Sequence, residues 1–486
     1  MRATGVLARI VAVVVIMLAT AGSAAGQTPT GEVPPPSPKA AEIPCTPLHV
    51  LAFAGTGETG ETADPTIDSG FLGEAVTRPL LQAAPGAVSR QMVPYADDFG
   101  LRGVPYAQSM TGGVAAGMRA IGDYAARCPA SRFALVGFSQ GAQVADEIAR
   151  MIGTGAMNAP IRPYQVAAVS LFSSPIRQNQ AAVFAGTQGQ LSPAPPPGLA
   201  APELSSLMLA SPTPAPGAGI APTISNTSGY GELTGRVASW CNGGDVACST
   251  PADAPLARAV ANIGGQVQFS GQDPLKTVGQ LAAALGGSVL RTAASVINND
   301  VSMQGGHLSI GSSGSTVLGR LAANTDPRTT TPQADNDIIR AVIKTGVMGF
   351  QAAVMVASKV LTPANIAELV TAGLANPVAA LADLGAKLAG AALDLVPPAT
   401  IDAGVRYAFG EITRDVTDNA GLVQMATDLR YWDSARQHTS YDKVPVDAAG
   451  QTPAGFTVAW LTVLAKALAA GSDASSSVAP TSVSGR

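Results

Sequence analysis

The fold of this chain is decided by one stretch, Phe133-Ala134-Leu135-Val136-Gly137-Phe138-Ser139-Gln140-Gly141-Ala142-Gln143-Val144. An apolar run ends in Gly-Phe-Ser-Gln-Gly, and small or apolar residues then recur at helical spacing, so the pattern predicts a strand, a sharp turn and a helix. The two glycines lack the Cβ atoms that would collide where the strand and the helix meet. This context is typical of a nucleophile elbow that presents Ser139, although a plain turn containing a serine fits the motif as well.

The composition indicates a globular chain with a large core. Of the 486 residues, 47% are hydrophobic and 13% are charged, and the formal net charge is −4. A chain of this length could form two or three ordinary domains. Because the sequence has neither a basic field nor an acidic tail, we expect no nucleic-acid partner.

The first residues have the features of a secretory signal peptide. Arginines precede a short apolar block at residues 10–19, and small residues lead up to Ala25. We therefore expect a signal peptide over 1–25 and a secreted or cell-envelope-associated protein after its removal. A retained membrane anchor is the alternative, but the block is shorter than the ~20 apolar residues of a spanning helix. Prolines and small residues then predict an extended linker over 26–44.

The four cysteines predict disulfides, because an exported chain folds in an oxidising compartment. Four cysteines allow three pairings. Cys241 and Cys248 enclose a short loop and can readily bond to each other, which leaves Cys45 with Cys128. A metal site is poorly supported, since the paired Cys-x-x-Cys spacing and nearby histidines are missing, and we expect neither a metal nor an organic cofactor.

Strand-like apolar runs alternate with helical patterns in the first half of the chain. Besides the elbow strand, the runs are Leu48–Phe53, Val166–Phe172 and 236–240, and a helical pattern covers 112–127. Strands separated by helices favour an α/β fold whose mostly parallel sheet is covered on both faces. The Gly/Thr-rich residues 54–60 follow the first strand, where sheets of this kind place their sites.

Residues 251–430 differ in character from the rest of the chain. They are rich in alanine, leucine, valine and glycine with helical periodicity, so we expect a helical insert that forms a cap or lid. Within it, residues 305–315 are typical of a Gly/Ser loop. The apolar run 338–361 is interrupted by charged residues and does not predict a membrane span.

The insert divides the predicted catalytic domain into two parts. The first part covers 45–250, and the second covers 431–470, with a polar loop at 436–441 and a final helix at 453–469. The Ser-rich residues 471–486 predict a disordered tail.

A serine nucleophile needs an imidazole base that a carboxylate orients. The chain has three histidines, so the base is one of three. His49 lies in the first predicted strand, where a core or edge role is expected, and His307 lies in the loop of the insert. His438 precedes the final helix and satisfies the chain order Ser, Asp, His, so we favour it. Asp245 follows a predicted strand, but its Gly-Gly-Asp context fits a turn aspartate equally well.

Several further motifs occur in a fixed order along the chain. They are Cys45 before the first strand, Gly55-Thr56-Gly57-Glu58 after it, Cys128-Pro129, Gly137-Phe138-Ser139-Gln140-Gly141, Cys241-Asn242-Gly243-Gly244-Asp245-Val246-Ala247-Cys248, and His438-x-x-Tyr441. The ordered set resembles the cutinase family, which includes fungal cutinases, acetylxylan esterases and cutinase-like hydrolases of mycolic-acid-containing actinobacteria. The resemblance covers about 45–248 and 438–469 and leaves the insert outside.

The resemblance implies a fold and a set of roles. The fold is a three-layer, α/β-hydrolase-like sandwich of the cutinase type, to which the helical insert is added. The implied catalytic residues are Ser139 as nucleophile, Asp245 as orienting acid, and His438 as general base and then acid. The implied oxyanion hole combines the backbone amide of Gln140 with Thr56, and both cysteine pairs match disulfides of the family.

The sequence departs from the family pattern at three points. Ala54 replaces the usual arginine before the Gly-Thr turn. Ser173-Ser174-Pro175 stands where related sequences often have Gly-Asp-Pro. Asp245 and His438 are separated by the long insert, which the fold tolerates if the ends of the insert lie close together, because loop-closure cost rises slowly with length.

These observations predict a secreted serine esterase that hydrolyses acyl esters of lipids or polyesters through an acyl-enzyme. We further expect peripheral contact with cell-envelope lipids through the helical insert. One alternative is an acyltransferase that moves acyl groups between envelope lipids, which the same residues would serve. Another is a non-catalytic, lipid-binding envelope protein on the same fold.

Overall fold

A five-stranded parallel sheet lies at the centre of the computed structural model of this chain. Its strands are β1 (Leu48–Phe53), β2 (Val88–Met92), β3 (Arg132–Phe138), β4 (Val166–Phe172) and β5 (Val237–Trp240). Their order across the sheet is β2-β1-β3-β4-β5. The strands expected from apolar runs are confirmed, whereas the edge strand β2 is not predicted by any such run.

The structure describes the chain in several separate ranges. They are 40–325 with gaps at 41, 101, 188, 222–228, 252–253, 265–273, 305–306 and 311–313, then 336–341, positions 344, 387 and 414, and 434–476. The predicted signal peptide, most of the predicted linker, most of the predicted insert after residue 325 and most of the predicted tail lie outside them.

Helices cover both faces of the sheet. In chain order, the α-helices of four or more residues within the described ranges are α1 (Arg78–Ala83), α2 (Tyr106–Arg127), α3 (Gln140–Gly153), α4 (Val246–Ser249), α5 (Pro255–Gly264), α6 (Pro274–Asp300), α7 (Val317–Asn324), α8 (Ser434–His438) and α9 (Pro453–Ser476). Helices α2 and α3 pack on one face, and α1 and α9 pack on the other. This arrangement confirms the predicted three-layer α/β fold.

The side chains of β1 show how the sheet forms a core on each face. Successive residues of a strand point to opposite faces, so a strand covered on both sides is apolar over most of its length. Val50 and Ala52 belong to the core that α9 completes, whereas Leu51 and Phe53 belong to the core formed with α2 and α3. All of these side chains are fully buried.

Helix α9 is part of this core. By length and composition its residues Pro453–Gly471, with a mean hydropathy of 1.5, could cross a membrane. However, Phe456, Trp460 and Leu464 are buried in the core below the sheet. The Thr457 hydroxyl is also 2.8 Å from the hydroxyl of Ser170 in β4. We therefore assign α9 to the α/β fold, with its start and end at Pro453 and Ser476.

The described part of the predicted insert contains helices α5, α6 and α7. A buried pair, in which the Arg320 guanidinium donates to both carboxylate oxygens of Asp300 at 2.8 Å, links α7 to the end of α6. The prediction of a loop over 305–315 is wrong at 307–310, because strands β6 (Val301–Gln304) and β7 (His307–Ile310) form an antiparallel hairpin.

The glycine at the start of α3 provides a test of the close packing between β1 and the elbow. A Cβ at Gly141 would collide with the carbonyl oxygens of Phe53 and Ala54, whereas a Cβ at Gly112 in α2 would meet no atom within 4 Å. We expect Gly141→Ala to reduce the free energy of unfolding by ~1–3 kcal/mol or more. Gly112→Ala should raise it by ~0.5–1 kcal/mol, because alanine is the better helix former.

Urea unfolding of both variants beside the wild type measures these changes. Equal unfolding midpoints for the two variants would show that the elbow does not depend on this contact.

Candidate active site

The turn between β3 and α3 holds Ser139 in a strained conformation. Its φ is +53° and its ψ is −120°, which an L-residue rarely adopts. The backbone amide of Ser139 donates to the carbonyl of Phe172 at 2.8 Å, which ties the turn to the end of β4. A strand, a sharp turn and a helix therefore surround Ser139, as the motif predicts.

The structure brings the three predicted catalytic residues together. The Ser139 Oγ lies 2.9 Å from Nε2 of His438. On the other side of the ring, Nδ1 of His438 is 3.0 Å from Oδ1 and 3.1 Å from Oδ2 of Asp245. When Nδ1 carries the proton and donates to the carboxylate, Nε2 is free to accept the hydroxyl proton of Ser139.

The Asp245 carboxylate is fully buried and surrounded by donors. The Tyr441 hydroxyl donates to Oδ2 at 2.7 Å, and the Ala247 amide donates to Oδ1 at 3.0 Å. Burial alone would raise the pKa of Asp245, but the charge of His438 and the hydrogen bonds to the carboxylate outweigh it, so the pKa is lowered. The carboxylate is thereby kept ionised beside the imidazole.

The same pair has the opposite effect on His438. Burial would lower the pKa of the imidazole, but the charge and hydrogen bond of Asp245, followed by the charge of Glu58, raise it above the ordinary value. An imidazole with these neighbours is suited to accept a proton from Ser139 and to hold it during a reaction.

His438 reaches Asp245 because α8 rests on the loop that carries the acid. The Asn242 side-chain amide donates to the Gln437 carbonyl at 2.8 Å and to the Ser440 hydroxyl at 3.2 Å. The Val246 amide donates to the Ser434 hydroxyl at 2.9 Å. His438 is the last residue of this short helix, so the prediction of a polar loop at 436–441 is wrong for its first half.

Two disulfides hold parts of this framework in place. Cys241–Cys248 closes the loop that contains Asp245, and Cys45–Cys128 joins the chain before β1 to the end of α2. Both pairings match the expectation from the sequence. They fit a protein that folds in an oxidising compartment.

The two residues predicted for an oxyanion hole are in direct contact. The Thr56 hydroxyl donates to Oε1 of Gln140 at 3.0 Å. The side-chain amide of Gln140 donates to the Asp98 carbonyl and to the Ser109 hydroxyl, each at 3.0 Å. These bonds fix the Gln140 side chain and leave its backbone amide at the first turn of α3, next to Ser139.

Glu58 is a site residue whose role the sequence does not predict. Its carboxylate accepts hydrogen bonds from the Gly55 amide at 2.8 Å and from the Phe71 amide at 2.9 Å. It therefore braces the loop that carries Thr56. Burial raises the pKa of Glu58, although these backbone bonds and the charge of His438 oppose the change. Its place in the quoted Gly-Thr-Gly-Glu motif is the signal that could have indicated it.

The other two histidines have different surroundings. The His49 ring is fully buried in β1, stacks on Tyr124 with centroids 3.5 Å apart, and places Nδ1 2.8 Å from the Ser89 hydroxyl. His307 lies in β7 of the predicted insert. Within the described ranges, no three His, Cys, Asp or Glu side chains come together in a way that could hold a metal ion.

Part of the chain is similar to proteins of a known family. Residues 44–259 match the family model named Cutinase, and the match includes Thr56, Ser139 and Asp245. This segment is a cutinase-family domain. The cutinase domain is also similar to acetylxylan esterase 2 from Talaromyces purpureogenus, with 32% identity over 145 residues, or 29% of this chain and 56% of that protein. The chain thus spans little more than half the length of that relative.

Solved structures resemble the chain only distantly. The catalytic core domain of acetyl xylan esterase from Trichoderma reesei is 20% identical with a TM-score of 0.28, over 49% of this chain and 99% of that one. Lysin B from Mycobacteriophage D29 is 18% identical with a TM-score of 0.31, over 49% and 86%.

The buried imidazole of His49 makes stability depend on pH. Burial, and to a smaller extent the charge of Arg127, lowers the pKa of His49 from 6.5 to about 3. Between about pH 3 and pH 6.5, the unfolded chain therefore binds a proton at His49 that the folded chain does not bind. The stabilising contribution is complete above pH 6.5 and is lost as the pH falls toward 3.

His49→Phe keeps an aromatic ring beside Tyr124 but cannot titrate. We expect the free energy of unfolding of the wild type to fall relative to that of His49→Phe as the pH is lowered through this range. Urea unfolding at a series of pH values, with pH 8 as the reference, measures the difference. If the free energy of unfolding changed with pH in the same way for the wild type and His49→Phe, the lowered pKa of His49 would be contradicted.

Proposed function

We propose that this protein is a secreted carboxylic ester hydrolase in which Ser139 is the nucleophile, His438 the base and Asp245 the orienting acid. One observation carries the proposal: the Ser139 Oγ is 2.9 Å from a His438 imidazole whose other nitrogen contacts a buried carboxylate. An unassisted serine hydroxyl is a weak nucleophile at neutral pH, and this arrangement is the one that activates it. The cutinase-family match of the segment that contains Ser139 and Asp245 supports the same reaction class.

The proposed reaction has two halves. In the first, His438 accepts the Ser139 proton as Oγ attacks the ester carbonyl, and it then gives that proton to the departing alcohol. The backbone amide of Gln140 and the hydroxyl and backbone amide of Thr56 stabilise the negative oxygen that forms. In the second half, His438 removes a proton from water, the hydroxide attacks the acyl-enzyme, and Ser139 regains its proton as the acid leaves.

We infer that the substrate is an acyl ester of a lipid or a polymer. Acetylxylan esterase 2 is named for the acetyl ester of a polymer, xylan, which supports an ester bond on a polymer but gives no support to a long acyl chain. The apolar, weakly charged composition of 251–430 supports a cap that would cover an acyl chain.

The ends of the described insert support its placement near the site. At its start, the Arg258 guanidinium donates to the Gly219 carbonyl at 2.8 Å, close to the loop that follows β5. At its far end, α8 delivers His438 itself. Both ends of the insert therefore border the acid loop, which supports the proposal of a cap close to the nucleophile.

Export is the remaining part of the proposal. The predicted signal peptide over 1–25 supports it, and so do the two disulfides, because both bonds are stable in an oxidising compartment. We also propose contact between the insert and envelope lipids, which the apolar composition of the insert supports.

Substitutions of the two proposed reacting groups test the mechanism. We expect Ser139→Ala and His438→Ala each to reduce kcat for p-nitrophenyl esters by a factor on the order of 10⁴ or more, because the triad members act as a unit. His307→Ala is the matched histidine control and should keep wild-type activity. A series of acyl lengths on the same proteins would define the acyl preference.

Retention of ester hydrolysis by Ser139→Ala would refute the mechanism. Product analysis with added glycerol or sugar separates hydrolysis from acyl transfer: a hydrolase releases only free acid, whereas a transferase forms a new ester. Lipid binding without any turnover by the wild type would favour a non-catalytic role.

A further inference from the structure

A strained serine lies directly under the proposed triad. Ser173 follows the last residue of β4, is fully buried and has a φ of +60°. Glycine adopts this conformation without cost, whereas a residue with a Cβ is strained in it. Strain that persists in a buried position suggests that the side chain has a use.

The Ser173 hydroxyl is directed at the proposed acid-base pair. Its Oγ lies 2.9 Å from Nδ1 of His438. It is also within hydrogen-bonding reach of the Asp245 carboxylate and of the Tyr441 hydroxyl. The Nδ1 proton of His438 is thus shared between two acceptors, Asp245 and Ser173, and the hydroxyl proton of Ser173 can be donated to Asp245 in return.

The surrounding contacts hold the strained turn in place. The backbone amide of Ser173 donates to the Trp240 carbonyl at 2.9 Å, which fixes it to the end of β5. The neighbouring Ser174 hydroxyl donates to Oδ2 of Asp146 at 3.1 Å. Asp146 belongs to α3 and pairs with Arg150 at 2.7 Å, so the turn is attached to the helix that begins after the nucleophile.

Building on the proposed function, we propose that Ser173 is a positioning residue that orients the His438 imidazole together with Asp245. Its oxygen accepts from Nδ1–H, which keeps the ring in the tautomer whose Nε2 receives the proton of Ser139. The hydroxyl of Ser173 in turn donates its proton to the Asp245 carboxylate. The positioning role depends on the Ser173 hydroxyl, and the backbone conformation of Ser173 serves to bring that hydroxyl to His438.

Substitution separates the hydroxyl from the strain. Ser173→Gly removes both, and Ser173→Ala removes the hydroxyl but keeps the Cβ. We expect both variants to lose about tenfold in kcat, the effect of one hydrogen bond, with KM within about twofold of wild type. The melting temperature should rise or stay unchanged for Ser173→Gly, because glycine relieves the backbone.

Two matched controls come from the same structure. Ser174→Ala breaks the bond to Asp146 in the same turn, and we expect it to lower stability while kcat stays within about twofold. Gln180→Gly relieves a similar φ of +50° at an exposed residue and should leave kcat unchanged.

A spectroscopic readout judges the proposal independently of turnover. The far-downfield proton resonance of His438 Nδ1–H should shift in Ser173→Gly and Ser173→Ala and stay in place in Ser174→Ala. An unchanged resonance and wild-type kcat in both Ser173 variants would overturn the positioning role while leaving ester hydrolysis intact. Absence of ester hydrolysis by the wild type would instead overturn the proposed function, and the resonance would still decide the role of Ser173.

Discussion

The hydrogen bond between His438 Nδ1 and the buried Asp245 carboxylate is the interaction on which the site depends. It joins residues that are 193 positions apart in the sequence. A carboxylate without solvent needs a partner, and removal of one member of such a buried pair typically costs ~3–5 kcal/mol. The bond therefore holds the returning end of the chain against the acid loop, and it also gives the imidazole the orientation that reaches Ser139.

The parallel sheet explains why residues so distant in sequence can meet. The carboxyl ends of parallel strands lie at one edge, and this edge is where α/β folds place their sites. Thr56 follows β1, Ser139 follows β3, Ser173 follows β4 and Asp245 follows β5. His438 comes from the returning chain outside the sheet, and hydrogen bonds from the acid loop position its helix.

Local patterns in the sequence predict the parts of the fold that local forces determine. Apolar runs identify the strands buried on both faces, and the glycine spacing around Ser139 identifies the elbow. Strand β2 is missed because its Ser89 and Gln91 interrupt the apolar pattern. Ser89 is buried nevertheless, since it bonds to the Thr46 and Tyr124 hydroxyls and to His49 in the same core.

The parts of the site that sequence reasoning misses are those that tertiary contacts create. Helix α8 is too short to be stable by itself, and it forms because Asn242 and Val246 donate to it. Glu58 and Ser173 lie in stretches that the sequence singles out, but only the fold shows that Glu58 bonds to the oxyanion loop and that Ser173 reaches His438. Chain order favours His438 from the sequence alone, and the structure places its Nε2 2.9 Å from the Ser139 Oγ.

The pH dependence of kcat/KM for wild type and Asp245→Asn tests the central bond most directly. The acidic limb of this profile reports the pKa of the base in the free enzyme. Asp245 raises the pKa of His438, so wild-type activity should fall as the pH drops through a value above 6.5. In Asp245→Asn we predict a limb displaced to lower pH and a kcat reduced by a factor on the order of 10³–10⁴. An acidic limb and kcat equal to those of wild type would contradict the account.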